Sequence, residues 1–291
     1  MKTMGSIFAG FAIIFWGIGD FLIQRSARRV GSLVALFTMT AFGAIVFLPF
    51  SYTEIITIFH SRPHELGTLG LASLIILCAG LLQFQALKIG KLSVIEPIYA
   101  LEIPVTAILA FFVLGEHVNP TQISLITIII VGILLVSIQS WKAIAKNSIE
   151  AGVWYAVAAI VAMGAVNFMV GLSSRLTSPF IILWFSCTFI ALVILIYLLC
   201  TQRAAEIIKN WRQNKGLLLA LGASDNFAWL AYSASALYLP LAIATSLSES
   251  YIAVSALLGI CINKEKLRTH QIVGLCIVIC GVVILSLLTN T

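Results

Sequence analysis

Leu114-Gly115-Glu116-His117-Val118-Asn119-Pro120-Thr121-Gln122-Ile123 decides how this chain is built, because its outline returns 149 residues later. There the residues are Asn263-Lys264-Glu265-Lys266-Leu267-Arg268-Thr269-His270-Gln271-Ile272. The glutamate and the Gln-Ile pair keep their places, and Gly132 is matched by Gly281. A second set of matches, at an offset of 147, pairs Gly17, Asp20, Phe21, Ser26 and Arg28 with Gly164, Asn167, Phe168, Ser173 and Arg175. The two offsets differ by two residues, a small insertion or deletion. We therefore expect two copies of one unit, 1–145 and 146–291.

Each copy is made of apolar stretches. Hydrophobic residues are 61% of the 291 and charged ones only 10%, against about 25% charged in soluble domains, which places the chain in a membrane. A hydrocarbon core of roughly 30 Å takes about 20 apolar residues as helix. Ten such runs are predicted, near 4–24, 32–50, 67–87, 93–114, 120–140, 150–173, 179–200, 216–237, 242–262 and 270–288. Five runs per copy is an odd number, so the second copy must enter the bilayer from the opposite side. The expected fold is an all-α integral membrane protein of ten transmembrane helices in two inverted five-helix repeats. Asn119-Pro120 and Ser178-Pro179 read as N-cap plus first-turn proline, and Thr269 as a cap for the tenth run. The polar stretches near 51–66, 140–150 and 201–215 are too short to fold alone and read as loops.

The net charge of +6 comes from Lys and Arg scattered singly or in short groups, with no basic face, so no nucleic acid is expected. Orientation accounts for them better. The loops after runs 1, 3, 5, 7 and 9 hold fourteen, and the other side holds three, Lys2, Arg62 and Arg175. The positive-inside rule then puts both termini outside. The first run exceeds the 7–15 apolar residues of a signal peptide and is followed by Arg25, Arg28 and Arg29, so it reads as a retained helix. Six cysteines form no CxxC pair, which argues against disulfides and a metal site; Cys276 and Cys280, one turn apart, read as packing residues.

With the repeat in place, the chain resembles the ten-helix EamA-type branch of the drug/metabolite transporter superfamily along essentially its whole length. The resemblance rests on the five-plus-five repeat, on Phe15-Trp16-Gly17 in the first run, and on Leu114-Gly115-Glu116 closing the fourth before a gently glycine-punctuated fifth. It implies a carrier of small polar metabolites, proton-coupled or facilitative. It also implies a central cavity lined chiefly by helices 1, 3, 4, 6, 8 and 9, no cofactor, and a place in the plasma membrane, the inner membrane of a bacterium. Members of that branch more often keep both termini inside, opposite to the charge count here. The second Leu-Gly-Glu has become Asn263-Lys264-Glu265, keeping only its glutamate.

A carboxylate in the bilayer costs at least about 2.5 kcal/mol on insertion scales, so the acids inside the runs need a reason. At 100° per residue, Glu96, Tyr99 and Glu102 share an arc of about 120°. Trp16, Asp20 and Gln24 fall within about 80°, and Asp225, Trp229 and Tyr232 within about 60°. Glu249 and Tyr251 share a polar face with Thr245, Ser248 and Ser255, where Thr245 aligns with Glu96 and Tyr251 with Glu102. Four polar, aromatic-lined stripes suggest one wet cavity. The plainer reading is interhelical hydrogen bonding. Glu116 and Glu265, at helix ends, read as caps or loop ion pairs, and Trp141, Trp154 and Trp211 as interfacial anchors. Pro97 and Pro104 break the ladder of the fourth helix, and Gly17, Gly80 and Gly164 suit close helix approach.

No Lys or Arg lies well inside any run to balance Asp20, Glu96, Glu102, Asp225 and Glu249. That imbalance points to a cationic or zwitterionic amine, an amino acid or a related metabolite, taken in exchange for protons and held against aromatic walls. A phosphorylated substrate would call for Arg or Lys. An enzyme is not expected: no HExxH or GxSxG occurs, and His60, His64, His117 and His270 sit in loops or at helix ends. A channel or a flippase of lipid-linked substrates is the alternative; a lateral opening toward lipid would favour the flippase.

Overall fold

The computed structural model describes residues 1–89, 99, 101–137, 153–251 and 268–290. Glu96, Pro97, Trp141, Ser255, Cys261, Glu265, the 145/146 boundary and Thr291 lie outside the described residues. Among the described residues are ten helices and no strand: α1 (Lys2–Val30), α2 (Ser32–Ser61), α3 (Glu65–Ile89), α4 (Glu102–Leu114), α5 (Pro120–Ser137), α6 (Val153–Leu176), α7 (Pro179–Cys200), α8 (Ala205–Ala236), α9 (Leu241–Ser248) and α10 (Thr269–Asn290). Six of them, α1, α2, α3, α6, α7 and α10, are long and apolar enough to cross a membrane.

The helices pack as an inverted repeat demands. Exchanging the halves sends α1 to α6, α2 to α7, α3 to α8, α4 to α9 and α5 to α10. The contacts of α1 with α8 become those of α6 with α3, and both are extensive. Likewise α2 against α8 is matched by α7 against α3, and α4 against α6 by α9 against α1. The pairs α2–α7, α4–α9 and α5–α10 map onto themselves, and all three are in contact. A twofold axis between the repeats produces this closed set.

Local chemistry explains several boundaries. Asn119 Oδ1 accepts from the Gln122 amide at 2.8 Å while Gln122 Oε1 accepts from the Asn119 amide at 3.1 Å, a reciprocal capping box ahead of Pro120. Ser178 Oγ accepts from the Ile181 amide at 3.3 Å, with Pro179 as the first helical residue. Gly115 closes α4 at φ 65°, the left-handed region a glycine enters without penalty. Its amide and that of Glu116 satisfy the carbonyls of Phe111 and Ala110. Gly31, at φ 88°, is the single residue between α1 and α2.

Three expectations are corrected. The stretches 51–66 and 201–215 are largely helix, since α2 runs on to Ser61 and α8 starts at Ala205. Beyond the hydrocarbon, polar residues no longer signal the end of a helix, because water can solvate their side chains while the backbone ladder continues. Thr269 begins α10 and is not its cap; the Gln271 side chain accepts from the amide of Arg268, which precedes the helix, at 2.9 Å. Cys276 and Cys280 are exposed on α10, so in a bilayer they face lipid and do not pack the interior.

Small residues bring the repeats together. A Cβ on Gly164 would lie 2.5 Å from Val105 Cβ and 3.0 Å from the Glu102 carbonyl, so α6 rides on α4 backbone to side chain. Thr106 Oγ1 donates to the Gly164 carbonyl at 3.0 Å across the same seam. A Cβ on Gly80 would make only ordinary contact with Leu36.

Candidate functional site

Where α1, α3, α4, α6, α8 and α9 meet, a cavity of about 30 Å³ lies deep in the helix bundle. Its walls are Trp16 and Asp20 of α1, Gln83 of α3, Tyr99 shortly before α4 and Glu102 at its start, Met163 and Asn167 of α6, Asp225 and Trp229 of α8, and Glu249 and Tyr251 just past α9. These are the six helices that the resemblance implied. Of the ten candidate residues read from the sequence, eight line this cavity. Tyr232 lies behind the wall, fully buried, and Glu96 is outside the described residues.

Four carboxyl groups surround a space with room for about two waters. Asp20, Glu102, Asp225 and Glu249 are 4%, 3%, 5% and 5% exposed, and no Lys or Arg is among the described lining residues. Three of the four accept a hydrogen bond from a described side chain. The Tyr251 hydroxyl donates to Asp20 Oδ2 at 2.5 Å. The Asn167 amide, with two hydrogens to give, donates to Glu102 Oε2 at 3.3 Å and to Glu249 Oε1 at 3.4 Å. Asp225 is the fourth; its carboxylate faces the cavity with no hydrogen-bond donor among the described residues.

The aromatic wall is built around Trp16. Its ring lies 5.0 Å from that of Trp229 at an interplanar angle of 84°, 5.7 Å from Tyr232 and 6.1 Å from Tyr251. Tyr232 acts behind this wall as a brace. Its hydroxyl donates to the Asn167 carbonyl at 2.9 Å and lies 3.0 Å from Thr245 Oγ1, linking α8 to α6 and α9. Ser224 Oγ, donating to the Phe15 carbonyl at 2.6 Å, holds α8 against α1 beside the two aspartates. Carboxylates, cation-attracting ring faces and a few water-sized spaces can together bind an ammonium group or protons.

Gln83, Met163 and Asn167 are the lining residues that the sequence did not single out as site residues. Asn167 did carry a signal, since the repeat aligns it with Asp20. Gln83 and Met163 carried none, as each lies in an apolar run with nothing to mark its face.

Glu116 acts as expected of a helix-end acid, and does more. It pairs with Arg175 Nη1 at 2.5 Å and accepts from the Leu241 amide at 2.7 Å, capping α9. Arg175 also donates to the carbonyls of Ala236 at 2.8 Å and Leu239 at 2.7 Å, capping the end of α8. One ion pair thus ties α4, α6, α8 and α9 together at one mouth of the bundle. In the other half, Arg28, the repeat mate of Arg175, donates to the carbonyl of Lys88 at the end of α3 at 3.2 Å.

A second, larger cavity of about 370 Å³ lies on the outer side of α4, α5 and α9. It is lined by apolar residues such as Ile103, Phe111, Ile126 and Ala242, with Glu116 and His117 at one end. Phe112 and Ile108 at its rim are 77% and 55% exposed.

The family model described as "EamA-like transporter family" matches residues 3–138 and again 150–287. A solved structure described only as "Crystal structure of protein" superposes with a TM-score of 0.72, covering 98% of this chain and 97% of that one at 14% identity, a likeness of fold alone. No curated protein matches the chain at the level of sequence.

Proposed function

We propose, from the premise that the chain belongs to the EamA-like transporter family, that this membrane transporter is a secondary carrier of small amine-bearing metabolites, amino acids among them. The observation that carries the reading is the cavity itself. Four acids meet aromatic faces there with no Lys or Arg among the described lining residues, and Asp225 has no described donor. Charges of one sign around a small space attract the opposite charge. Asp225 takes the substrate ammonium or the coupling proton, and Trp16 and Trp229 flank the cation. Protons and substrate compete for the same carboxylates, which makes transport an exchange. The cavity is smaller than any amino acid, so the surrounding helices must part for substrate to enter.

Asp225→Asn keeps the size of the side chain and removes its charge. Reconstituted in liposomes, the variant is expected to keep its thermal stability and lose proton-driven amine uptake by about 100-fold, in keeping with a charge-assisted contact worth up to ~3 kcal/mol. Wild-type rates and wild-type pH dependence in a stable Asp225→Asn protein would sink the reading.

Both termini are proposed to lie outside and the basic loops inside, in a plasma membrane that is the inner membrane of a bacterium. The support is the count of Lys and Arg, fourteen on one side against three on the other. A cysteine placed at Lys209 should be labelled only from the cytoplasmic side; labelling from outside reverses the orientation.

A second reading, a flippase of lipid-linked substrates, is favoured by the 370 Å³ apolar cavity with its exposed rim, a space within the ~300–1,000 Å³ of ordinary ligand sites. Saturable amine uptake that is indifferent to a bulky Ala107→Trp in that cavity would favour the carrier.

A further inference from the structure

The first ten residues of α8 are helical but do not belong to its membrane-crossing part. Asn214 has φ −132° and ψ 22°, off the helical values, and breaks the helix there. Its side chain covers the break, since Nδ2 donates to the Asn210 carbonyl at 3.2 Å. Residues 216–236 then supply about 32 Å of helix at 1.5 Å per residue, enough for the hydrocarbon core by themselves. The segment from Ala205 to Lys215 lies beyond the length that the hydrocarbon core requires.

Its outer face is mixed in a particular way. Ile208 and Trp211 are 60% and 40% exposed, and Lys209, Arg212 and Lys215 are exposed with them. At 100° per residue, Ile208, Trp211 and Arg212 fall within an arc of about 100°, with Lys209 about 60° beyond Arg212. Next to this arc, Ile207 packs against the protein core. Glu206, the one acid of the segment, is bound by Arg203 at 2.8 and 3.0 Å, and that guanidinium holds its carboxyl below the usual range. Lys209 also acts on that carboxylate, while Arg212 and Lys215 have no acid on their own segment to neutralise them. An aliphatic chain and an indole that reach the acyl boundary, beside long cations that extend up to the phosphates, make an interfacial surface.

We propose that the Ala205–Lys215 segment is a docking surface for anionic phospholipid headgroups, with Lys209, Arg212 and Lys215 contacting the phosphates and Ile208 and Trp211 seated at the acyl boundary. Charge complementarity selects the occupant: Arg203, Lys209, Arg212 and Lys215 against the single Glu206 leave a net charge of +3, which attracts an anionic lipid and gains little from a zwitterionic one. The inference stands apart from the carrier reading, because it concerns the face of the protein and not its cavity.

Native mass spectrometry of the full chain in detergent, titrated with phosphatidylglycerol or phosphatidylcholine, tests it. The wild type should bind phosphatidylglycerol more tightly. The triple variant K209Q/R212Q/K215Q should lose that preference by about a hundredfold, on the order of fivefold per cation, with phosphatidylcholine binding unchanged. Equal affinity of the wild type for the two lipids overturns the proposal, as does a triple variant that keeps the preference. If the triple variant does not fold, the wild type decides: its phosphatidylglycerol advantage must shrink at least tenfold between about 50 mM and about 500 mM salt, since exposed charges are screened. An advantage indifferent to salt refutes the electrostatic surface.

Discussion

Asp20 with Tyr251 and Asn167 with Glu102 are the same contact in the two halves of the molecule. The repeat aligns Asp20 with Asn167 and Glu102 with Tyr251, and each pair joins the first helix of one half to the fourth helix of the other. The chemistry has been exchanged. In one contact the phenol of α9's end donates to a carboxylate on α1; in the other an amide on α6 donates to a carboxylate on α4. Geometry has been kept at the axis while the negative charge has changed helix. The difference teaches what the twofold site requires: one donor and one carboxylate at each contact, on either partner. It also shows why the cavity is acidic without being symmetric, since Asn167 serves Glu249 as well as Glu102.

The comparison breaks most severely at Asn167→Asp. That change removes the donor shared by Glu102 and Glu249 and adds a further carboxylate beside them. We expect a loss of about 3 kcal/mol of stability, the cost of buried charged groups left without hydrogen bonds, and uptake reduced below detection. Thermal unfolding in detergent with proteoliposome uptake measures both. Combining Asn167→Asp with Glu102→Gln reverses donor and acceptor as the other half has them, and should recover more than half of the lost stability. If the double variant is no better than the single one, the two contacts are not equivalent.

Arg175→Gln comes next, at about 2 kcal/mol, because it removes a partly exposed ion pair together with two carbonyl contacts. Arg28→Gln, its mate in the other half, provides the comparison in the same unfolding assay. Tyr251→Phe is the mildest test. It deletes one hydroxyl donor to Asp20 and should cost about 1.5 kcal/mol. Because the ring remains against Trp16, a tryptophan emission spectrum unchanged from wild type would show that only the hydrogen bond was lost.

The repeat was legible because weak matches recurred in order at nearly constant offsets, and an odd number of apolar runs forces the inversion. The candidate site was partly legible, since a carboxylate in an apolar run stands out by its cost. Asn167 does not stand out in that way; its role comes from two acids on other helices that only the folded bundle brings within reach. Gln83 and Met163 became wall residues through packing against neighbours distant in sequence. The size of the cavity was hidden for the same reason, as Trp16, Trp229 and Tyr251 fill space that a helical projection leaves open. The extra turns of α2 and α8 escaped hydropathy because that measure ends where the hydrocarbon ends.

The one-residue connection at Gly31 makes α1 a transmitter. A longer linker would absorb a displacement of α1 as slack, but a single residue passes it on, so a shift of α1 on the binding proposed at Asp20 would be carried to α2. That second helix packs against α7 and α8 and presents Ile45 and Phe50, 73% and 62% exposed, on its outer surface. A fluorophore or spin label at either position would then report on the proposed binding at Asp20 without touching the cavity.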